Sequence, residues 1–541
     1  MRLARHRLCV LLTVLIFAAC HLPFLGAPYT NTEQWTAAAA HQIYDGSLHR
    51  GLATYQFAVS SPPLFVFSIV PFYAALGVSE FAARLSTLAA ALLAILAVYA
   101  LGKRYFSPGV GALASALLAA SPLFWTYSGV ICCNDAAFTL VTALLLWALV
   151  RATETDRVPA HVLAGMLLGL ALVTKFNAGV YPIGIAAVLL PRWLRGRREQ
   201  GVTGLLRTVL AYLPGLAIPL AYYATLVATT GHVLNTGVAP TNVTRAGEWA
   251  LLMPPRLAYY LTWLGLFAGP MLLLTVERLW DRLGKAIVLK ALAIAVPLNV
   301  FLVAAMNYAI NRPDLDLGEL RFGYIENLFP RAALWVFQFV GVTAGETLVL
   351  SLVSWGRTRP WPNGVLAAWT IAILGADSFW RGAQRYMVYL VPALAVFLAD
   401  LALASRQHRP LRALGLVAAV GTIAMGAAFG VFSNAYFAAE GRAAADVAAY
   451  VNAHGVRGID AKKSDEVLCH CAYLVDAESF ARPGETPRYV IKTYGVRGPV
   501  EGEVFLRDVR LLGVVWKRYG IVDAPASSPP VDDGTGLLML R

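Results

Sequence analysis

The first long apolar stretch of the chain, residues 8–25 (LCVLLTVLIFAACHLPFL), contains no Asp, Glu, Lys or Arg. A helix of about 20 apolar residues spans the hydrocarbon core of a bilayer, so this stretch predicts a transmembrane helix. Arg2, Arg5 and Arg7 precede it. A basic start before an apolar run is also typical of a signal peptide, but no small-residue cleavage site follows here. We therefore predict an uncleaved first helix with a cytoplasmic N-terminus.

The composition extends this prediction to most of the chain. Of its 541 residues, 58% are hydrophobic and 14% are charged, and the mean hydropathy is +0.62. Soluble domains have about 45–50% apolar and about 25% charged residues. The composition therefore excludes a soluble enzyme, a disordered protein and a nucleic-acid-binding module. The net charge of +13 is then interpreted first as orientation signals in the loops of an all-α polytopic membrane protein.

Basic residues in the loops predict which apolar runs cross the membrane, because cytoplasmic loops are enriched in Lys and Arg. The sequence contains about fourteen apolar runs that approach the length of a spanning helix. If all of them crossed, Lys103, Arg104 and the arginines of residues 192–198 would lie on the outer side. If residues 62–78 instead lie along the outer face, all the basic loops lie inside. We predict about thirteen crossings, with residues 26–61 and the C-terminal tail on the extracytoplasmic side.

The composition changes near residue 434, where polar and turn-forming residues become frequent. Strand-like runs occur at residues 488–492 and 514–516, and a helical run precedes them. Alternating helix and strand signals predict a small α/β domain. The predicted organisation is a transmembrane domain over residues 1–433 and a soluble extracytoplasmic domain over residues 434–541.

Two acidic residues close to the predicted outer face are candidates for chemistry. Glu33 follows the first helix, and Asp135 stands at the start of a later helix. An acid at a helix N-terminus is also a good cap, which explains Asp135 equally well. Two acids at the same membrane depth nevertheless favour a functional site, because ionisable groups there are costly.

Three cations reach the same predicted face: Lys175, Arg381 and Arg385. Cations at helix ends often extend towards lipid headgroups, and this interpretation requires no ligand. The alternative is that they bind an anionic group at the outer leaflet. The residues alone leave both interpretations open.

Several short motifs come in an order that resembles a known family. In chain order they are Glu33-Gln34-Trp35, Pro62-Pro63-Leu64-Phe65, residues 77–85 (GVSEFAARL), residues 102–106 (GKRYF), Asp135, residues 165–175 (GMLLGLALVTK) and Arg385-Tyr386. Together they resemble the membrane-embedded GT-C glycosyltransferases that use polyprenyl-phosphate sugars, such as the protein O-mannosyltransferases and the bacterial lipid A aminoarabinose transferase. The resemblance is densest before Lys175.

The resemblance implies an active site in the first outer loop, residues 26–61, and a lipid-phosphate sugar donor. In the family an Asp-Glu pair opens this loop, whereas this chain has Thr32-Glu33, so Glu33 alone matches the catalytic carboxylate. A second family acid matches Asp135. Some relatives have an acid and a Lys before the Pro-Pro pair, where this chain has Ser60 and Ser61. A divalent metal ion is therefore a possible cofactor that the sequence does not decide.

These matches predict a role for each candidate residue. Glu33 is the general base that removes the proton of an acceptor hydroxyl, with inversion at the sugar, and Asp135 orients either the acceptor or Glu33 itself. Lys175, Arg381 and Arg385 bind the donor phosphate. The predicted partners are a polyprenyl-phosphate-linked sugar, a lipid, glycan or protein acceptor, and membrane lipids, but no nucleic acid. The predicted compartment is a bacterial inner membrane.

Two other classes of function remain open at this point. A transporter or lipid flippase would fit the hydropathy, but such proteins often have paired halves, and we find none in this sequence. A non-catalytic membrane scaffold would fit the loss of one acid from the Asp-Glu pair. Near the C-terminus, Cys469 and Cys471 flank His470 without the spacing of a zinc site, and their redox state is open.

Overall fold

The computed structural model describes residues 2–29, 33–59, 64–129, 134–230, 246–272, 274–275, 285–310, 331–359, 361–380, 387–404, 409–460, 474–482, 485–494, 503–511 and 514–524. Within these ranges the chain is almost entirely helical up to residue 453, and a small sheet follows. The chain divides into two compact units. The helical unit comprises Met1–Ala18, Ala89–Ser128 and Asn134–Gly430, and the mixed unit comprises Ala19–Leu88, Gly129–Cys133 and Val431–Arg541.

Sixteen α-helices lie within the described residues. They are α1 (Arg2–His21), α2 (Glu33–Tyr44), α3 (Leu48–Val59), α4 (Leu64–Leu76), α5 (Glu80–Tyr105), α6 (Pro108–Ala119), α7 (Pro122–Ser128), α8 (Asp135–Thr155), α9 (Val158–Leu172), α10 (Tyr181–Thr230), α11 (Ala246–Ala268), α12 (Lys285–Ile310), α13 (Arg331–Thr358), α14 (Asn363–Trp380), α15 (Val391–Ala404) and α16 (Arg409–Ala453).

The lengths and surfaces of these helices suit a membrane. In the described part of the chain, six helices are long and apolar enough to cross a bilayer, and six shorter apolar helices accompany them. On α1 the large side chains Leu8, Leu11 and Ile16 are each more than half exposed. Such apolar surface is stable when hydrocarbon replaces water as the solvent. The predicted all-α membrane architecture is thus confirmed, whereas the number of thirteen crossings stays a prediction.

Helix α4 corresponds to the apolar run that the charge pattern predicts to lie along the outer face. It has 13 residues, which is about 20 Å of helix at 1.5 Å per residue. The hydrocarbon core is about 30 Å thick. Helix α4 is therefore too short to cross by itself without flanking residues, and its placement stays a prediction.

The first half of α10 runs alongside α8. The hydroxyls of Tyr181 and Thr142 are 2.5 Å apart, and eleven residues further along both helices the Arg192 guanidinium donates to the Thr153 carbonyl. Equal spacing on the two helices shows that α8 and this half of α10 point in the same direction.

The second half of α10 runs alongside α9 instead. A Cβ on Gly165 would meet the Tyr212 backbone, and a Cβ on Gly169 would meet Gly215. Helices α8 and α9 pack against each other and are joined by two residues, so they are antiparallel. The chain therefore reverses direction within this run of helical residues, which fits two crossings joined near the arginines of residues 192–198.

The mixed unit ends in a three-stranded antiparallel sheet. Its strands are β1 (Tyr489–Tyr494), β2 (Glu503–Leu511) and β3 (Val514–Asp523), in the order β1-β3-β2. The last turns of α16 pack on this sheet, where the Tyr450 ring stacks 4.2 Å from the Phe505 ring. Glu440 accepts hydrogen bonds from Lys517 at 3.0 Å and Tyr519 at 2.8 Å. The predicted small C-terminal α/β structure is confirmed, while its predicted boundary at residue 434 lies inside the unbroken helix α16.

Candidate active site

Glu33, the predicted general base, is the first residue of α2 and is completely buried. Its carboxylate forms a two-point ion pair with Arg84: Nε donates to Oε1 at 2.9 Å and Nη2 donates to Oε2 at 2.7 Å. Both residues belong to the mixed unit. A planar guanidinium fork matches a carboxylate in this geometry, which makes the pair strong and well oriented. The structure thus gives Glu33 a partner that the sequence analysis did not assign.

Arg84 also holds the chain that enters the loop. Its Nη1 donates to the carbonyls of Leu25, at 3.0 Å, and Ala27, and its Nη2 donates to the Pro28 carbonyl at 3.0 Å. Its guanidinium lies 5.3 Å from the centre of the Tyr29 ring. Arg84 therefore fixes the backbone of residues 25–28 and the Glu33 carboxylate with one side chain.

Local sequence signals explain why Arg84 is placed there. Gly77 has a φ of +80°, a conformation that favours glycine, and it ends the preceding helix α4. The Ser79 hydroxyl then accepts a hydrogen bond from the Ala82 N–H at 3.2 Å and caps the start of α5. Arg84 follows within the second turn of α5, where it is 3% exposed.

Tyr29 lies beside this pair and stays neutral. Burial raises the pKa of its phenol well above the ordinary value, and the neighbouring Tyr73 phenol raises it further. The hydroxyl of Tyr29 is therefore a hydrogen-bond donor and not a charged group near neutral pH.

Asp135, the second predicted acid, is the first residue of α8 and is 1% exposed. The Lys175 ammonium donates to its Oδ1. Asn134, which has a left-handed φ of +56°, anchors the segment that carries the lysine through a hydrogen bond of 3.3 Å from its Nδ2 to the Thr174 carbonyl. The sequence predicts that Lys175 binds the donor phosphate, and the structure shows it engaged with Asp135.

A third carboxylate lies in the same helical unit. The buried Asp377 side chain accepts a hydrogen bond from the Tyr389 hydroxyl. The Tyr389 ring packs edge-on, at 5.4 Å, against the Phe138 ring. The Lys175 ammonium lies 6.0 Å from the centre of that same Phe138 ring. One aromatic side chain thus joins the Asp135–Lys175 pair to the Asp377–Tyr389 pair.

The remaining predicted site residues are not all within the described ranges. Arg381 and Arg385, and likewise Ser60, Ser61, Cys469 and Cys471, lie outside the residues that the structure describes. Glu33 belongs to the mixed unit and Asp135 to the helical unit. Their convergence on one site therefore stays a prediction.

The described carboxylates do not fit a metal centre. Glu33 faces a guanidinium and Asp135 faces an ammonium. Within the described ranges no group of three or more His, Cys, Asp or Glu side chains is placed to hold a metal ion.

Sequence reasoning missed Arg84, Asp377 and Tyr389. A signal was available for the first two, since each is an isolated charge in an apolar helix, where ionisable residues are often functional. Arg84 even stands in the stretch that carried the family resemblance. Its partner is 51 positions away, and no periodicity connects residues at that distance.

Part of the chain matches the model of a known family. Residues 60–228 match the family described as dolichyl-phosphate-mannose-protein mannosyltransferase. This match confirms, over that stretch, the predicted resemblance to membrane glycosyltransferases that use polyprenyl-phosphate sugars. Arg84, Asp135 and Lys175 all lie inside it. No curated protein matches the chain.

Three solved structures align with most of this chain at low sequence identity. ArnT from Cupriavidus metallidurans bound to undecaprenyl phosphate is 17% identical, with 96% of this chain and 99% of that chain covered and a TM-score of 0.45. AglB, an archaeal oligosaccharyltransferase from Archaeoglobus fulgidus, is 15% identical, with coverages of 89% and 61% and a TM-score of 0.44. The arabinosyltransferase EmbB from Mycobacterium smegmatis is 12% identical, with coverages of 79% and 40% and a TM-score of 0.34. We transfer no residue role from these proteins.

Proposed function

We propose that this protein is an integral-membrane glycosyltransferase that moves a sugar from a polyprenyl-phosphate donor to a hydroxyl acceptor. The observation that carries the proposal is the family match over residues 60–228. The buried charges Arg84, Asp135 and Lys175 lie inside that stretch. Buried ionisable groups in a membrane protein mark functional sites more often than structural ones.

The proposed reaction breaks the bond between the sugar C1 and the phosphate oxygen and forms a bond between C1 and the acceptor oxygen. The polyprenyl phosphate leaves with the bonding electrons. Attack from the opposite face inverts the anomeric centre. The acceptor proton goes to a carboxylate, and proton removal of this kind contributes on the order of 10²–10⁴-fold to the rate.

We assign the general base to Glu33. Its two carboxylate oxygens have about four acceptor sites, and the bonds from Arg84 use one on each oxygen. Arg84 thereby keeps the carboxylate in a fixed orientation for the proposed proton removal. Asp135 has the orienting role, through Lys175, on the side of the helical unit.

The donor phosphate needs cations or hydrogen-bond donors. Lys175, Arg381 and Arg385 are the proposed set, with the two arginines contributing bidentate hydrogen bonds. Since Lys175 is engaged by Asp135, we propose that it binds phosphate as a bridging cation between Asp135 and the donor. The proposed setting is a bacterial inner membrane, with residues 26–61 and the domain of residues 434–541 outside the cytoplasm.

Paired substitutions test whether Glu33 is a base or only an ion-pair partner. We expect Glu33→Gln to reduce the turnover of a polyprenyl-phosphate sugar by at least about 10²-fold. Arg84→Gln should reduce it too, because it leaves Glu33 without its oriented partner. The informative variant is the double substitution Glu33→Gln/Arg84→Gln, in which neither charge is left buried alone.

The double variant separates the two roles. If Glu33 is the base, the double variant folds with a thermal midpoint above that of Arg84→Gln but does not transfer sugar. Recovery of transfer in the double variant would show that the pair is only structural. Sugar transfer by Glu33→Gln at the parent rate would remove Glu33 from the mechanism. Absence of transfer by the parent protein with every lipid-linked sugar offered would reject the function itself.

A further inference from the structure

A strip of exposed and half-exposed side chains lies along the end of α16 and on β2, in the mixed unit. Asp446, Tyr450 and His454 follow one another at intervals of four residues, so they share one face at the end of the helix. Phe505 and Arg507 are two positions apart on β2, so they share one face of the sheet. Contacts between the two sets join these five residues into one surface, which we call the α16–β2 strip.

One end of the strip is a column of three stacked rings. The centre of the Tyr450 ring lies 4.2 Å from that of Phe505, with an angle of 20° between the planes. The His454 ring stacks on the other side, at 4.0 Å and 23°. The His454 Nδ1 lies 3.0 Å from the Tyr450 carbonyl, and a carbonyl only accepts, so the imidazole donates to it. Since His454 is exposed, the column ends in a flat, oriented ring that contacts solvent.

The other end of the strip is a pair of opposite charges. The Arg507 Nε donates to the Asp446 Oδ2 at 2.7 Å, and the two side chains are 54% and 46% exposed. This bond uses one of five guanidinium N–H groups and one of about four acceptor sites on the carboxylate. With the described residues these two side chains form no further hydrogen bond. The pair can therefore both donate to and accept from a ligand.

Membrane lipid does not account for these exposed rings. The apolar run of α16 ends at Phe432, before Ser433 and Asn434. Tyr450 stands eighteen residues further along the same helix, which is about 27 Å at 1.5 Å per residue. On the predicted topology the strip lies in the extracytoplasmic water, where exposed apolar surface beside polar groups marks an interaction site.

The chemistry of the strip fits a chain of sugars. A pyranose ring has a face of C–H bonds and a rim of hydroxyls. The C–H hydrogens are attracted to the negative face of an aromatic ring, and the hydroxyls form charge-assisted hydrogen bonds with a carboxylate and a guanidinium. Asp446 and His454 are eight residues apart, which is about 12 Å along the helix axis. This length exceeds one sugar ring and suits a short oligosaccharide.

The helix that carries the strip also contacts the loop of the proposed active site. Asn434 and Ala438 of α16 line one small cavity together with Ala27 and Arg84, and Arg84 holds the Glu33 carboxylate. These residues and the strip all belong to the mixed unit. Twelve residues separate Ala438 from Tyr450 on the strip, about 18 Å along the helix. A glycan of several sugars can span that distance.

We propose that the α16–β2 strip binds an uncharged oligosaccharide, as the part of an acceptor glycan that is remote from the reacting hydroxyl. The rings of His454 and Tyr450 pack on the sugar C–H faces, and Asp446 and Arg507 bind hydroxyls. The charges of the last two residues cancel, which favours a ligand without net charge. The acceptor role rests on the proposed function, whereas the binding of sugars does not.

Saturation-transfer NMR of the full-length protein tests the binding without any donor. The protein is held in phosphatidylcholine nanodiscs, because glycoside detergents would themselves compete. The probes are trisaccharides of glucose, galactose, mannose and N-acetylglucosamine. We expect magnetisation to reach the ring C–H protons of at least one of them. Absence of transfer to all four would overturn the proposal.

Two further ligands test the chemistry of the site. Sorbitol has hydroxyls but no rigid C–H face, and it should bind much more weakly than the best trisaccharide. Equal binding of sorbitol would show that the rings are not used. A peptide rich in Ser and Thr that binds more tightly than every trisaccharide would show that the partner is a protein, and would also overturn the proposal.

Paired variants locate the site. His454→Ser should lower the affinity for the best trisaccharide about tenfold, which corresponds to one good ring contact. His454→Phe restores a flat ring and should bind like the parent. Arg507→Gln should weaken binding, whereas Arg510→Gln on the same strand is its control, because Arg510 is bonded to Asp508 outside the strip. Equal affinities for all four variants would place the binding elsewhere.

Kinetics with a glycan acceptor separate this inference from the proposed function. His454→Ser should raise the KM for the acceptor about tenfold and leave kcat nearly unchanged, since the contact is remote from the reacting atoms. An unchanged KM would overturn the acceptor role. If the parent binds a trisaccharide but transfers no sugar, the proposed function fails and the sugar-binding strip stands.

Discussion

At the scale of single residues, the hydrogen bonds of Arg84 in the mixed unit require both its positive charge and its planar shape. Five hydrogen bonds that Arg84 donates to described residues end on two carboxylate oxygens and three backbone carbonyls. A guanidinium has five N–H groups in one plane, and a lysine ammonium has three that point from one atom. The positive charge alone therefore does not reproduce what Arg84 does.

Arg84→Lys tests this requirement for a planar fork. Although the charge is kept, we expect the variant to lose most of the bonds to residues 25–28 and to lower the midpoint of thermal unfolding of the purified protein. Arg84→Gln should lower it further, since a buried carboxylate left alone costs about 3–5 kcal/mol. The same change at the exposed Arg104 should have little effect. Equal midpoints for Arg84→Lys and the parent would contradict the assigned geometry.

At the scale of helices, glycines set how closely neighbours approach. Helices α9 and α10 contact through Gly165 and Gly169 on one side and Gly215 on the other, where any Cβ would meet backbone atoms. Small residues at such positions let membrane helices pack backbone against backbone. This packing supports the segment that carries Lys175, because α9 ends only a few residues before it.

Gly169→Ala should therefore destabilise the protein, by about 1–3 kcal/mol as is usual for overpacked sites. Gly375→Ala in α14 is the matched control, because a Cβ there meets nothing within 4 Å. Alanine is the better helix former, so Gly375→Ala should leave stability unchanged or raise it. Thermal unfolding monitored by circular dichroism distinguishes the two. A similar midpoint for both variants would argue against close α9–α10 contact.

The sheet offers a prediction that depends on pH. The Asp508 carboxylate on β2 accepts hydrogen bonds from Arg510 at 2.8 Å and from Arg518 at 2.9 Å. Hydrogen bonds from Arg510, together with the charges of both arginines, hold the pKa of Asp508 below its ordinary value. The stabilisation is therefore complete above the unfolded-state pKa of about 3.9 and is lost as the pH falls through the lower folded-state pKa.

Hydrogen exchange of the full-length protein checks this sign. At neutral pH, Asp508→Asn should increase amide exchange in β2 and β3 by an amount equivalent to at most about 1 kcal/mol, as expected for a partly exposed pair. Well below about pH 4 the variant and the parent should exchange alike. Asp523→Asn, an exposed residue at the end of β3, is the control. A difference that grows as the pH falls would have the wrong sign.

At the scale of the whole molecule, the proposal depends on which side of the membrane each loop faces. The loop charges predict residues 26–61 outside and the α8–α9 connection inside. Single cysteines in a cysteine-free background, at the exposed positions Ser47 and Thr155, report these sides to a membrane-impermeant thiol reagent. We expect Ser47→Cys to react in intact cells and Thr155→Cys to react only after permeabilisation. Reaction of both in intact cells would contradict the topology.

The sequence predicts the helices and strands well, but it does not predict which charged side chains pair with each other. The start of α8 at Asp135 and the strands near Tyr489 and Val514 are signalled by apolar runs and turns that are local in the chain. The partners of the acids depend on which helices become neighbours, and local patterns do not encode that. Lys175 illustrates the difference, since the sequence singles it out as a candidate site residue but does not predict its engagement with Asp135.

The hydrogen bonds from Arg84 to the backbone of residues 25–28 have an evolutionary consequence. These hydrogen bonds end on backbone carbonyl oxygens, and every amino acid has the same backbone carbonyl. Under the proposed function, substitutions at Ala27 or Pro28 can therefore change the side chains that the loop offers to a substrate, while the hydrogen bonds from Arg84 to the backbone are kept. Related proteins should thus diversify these side chains freely around an invariant arginine, and selectivity for different acceptors could evolve there without rebuilding the scaffold.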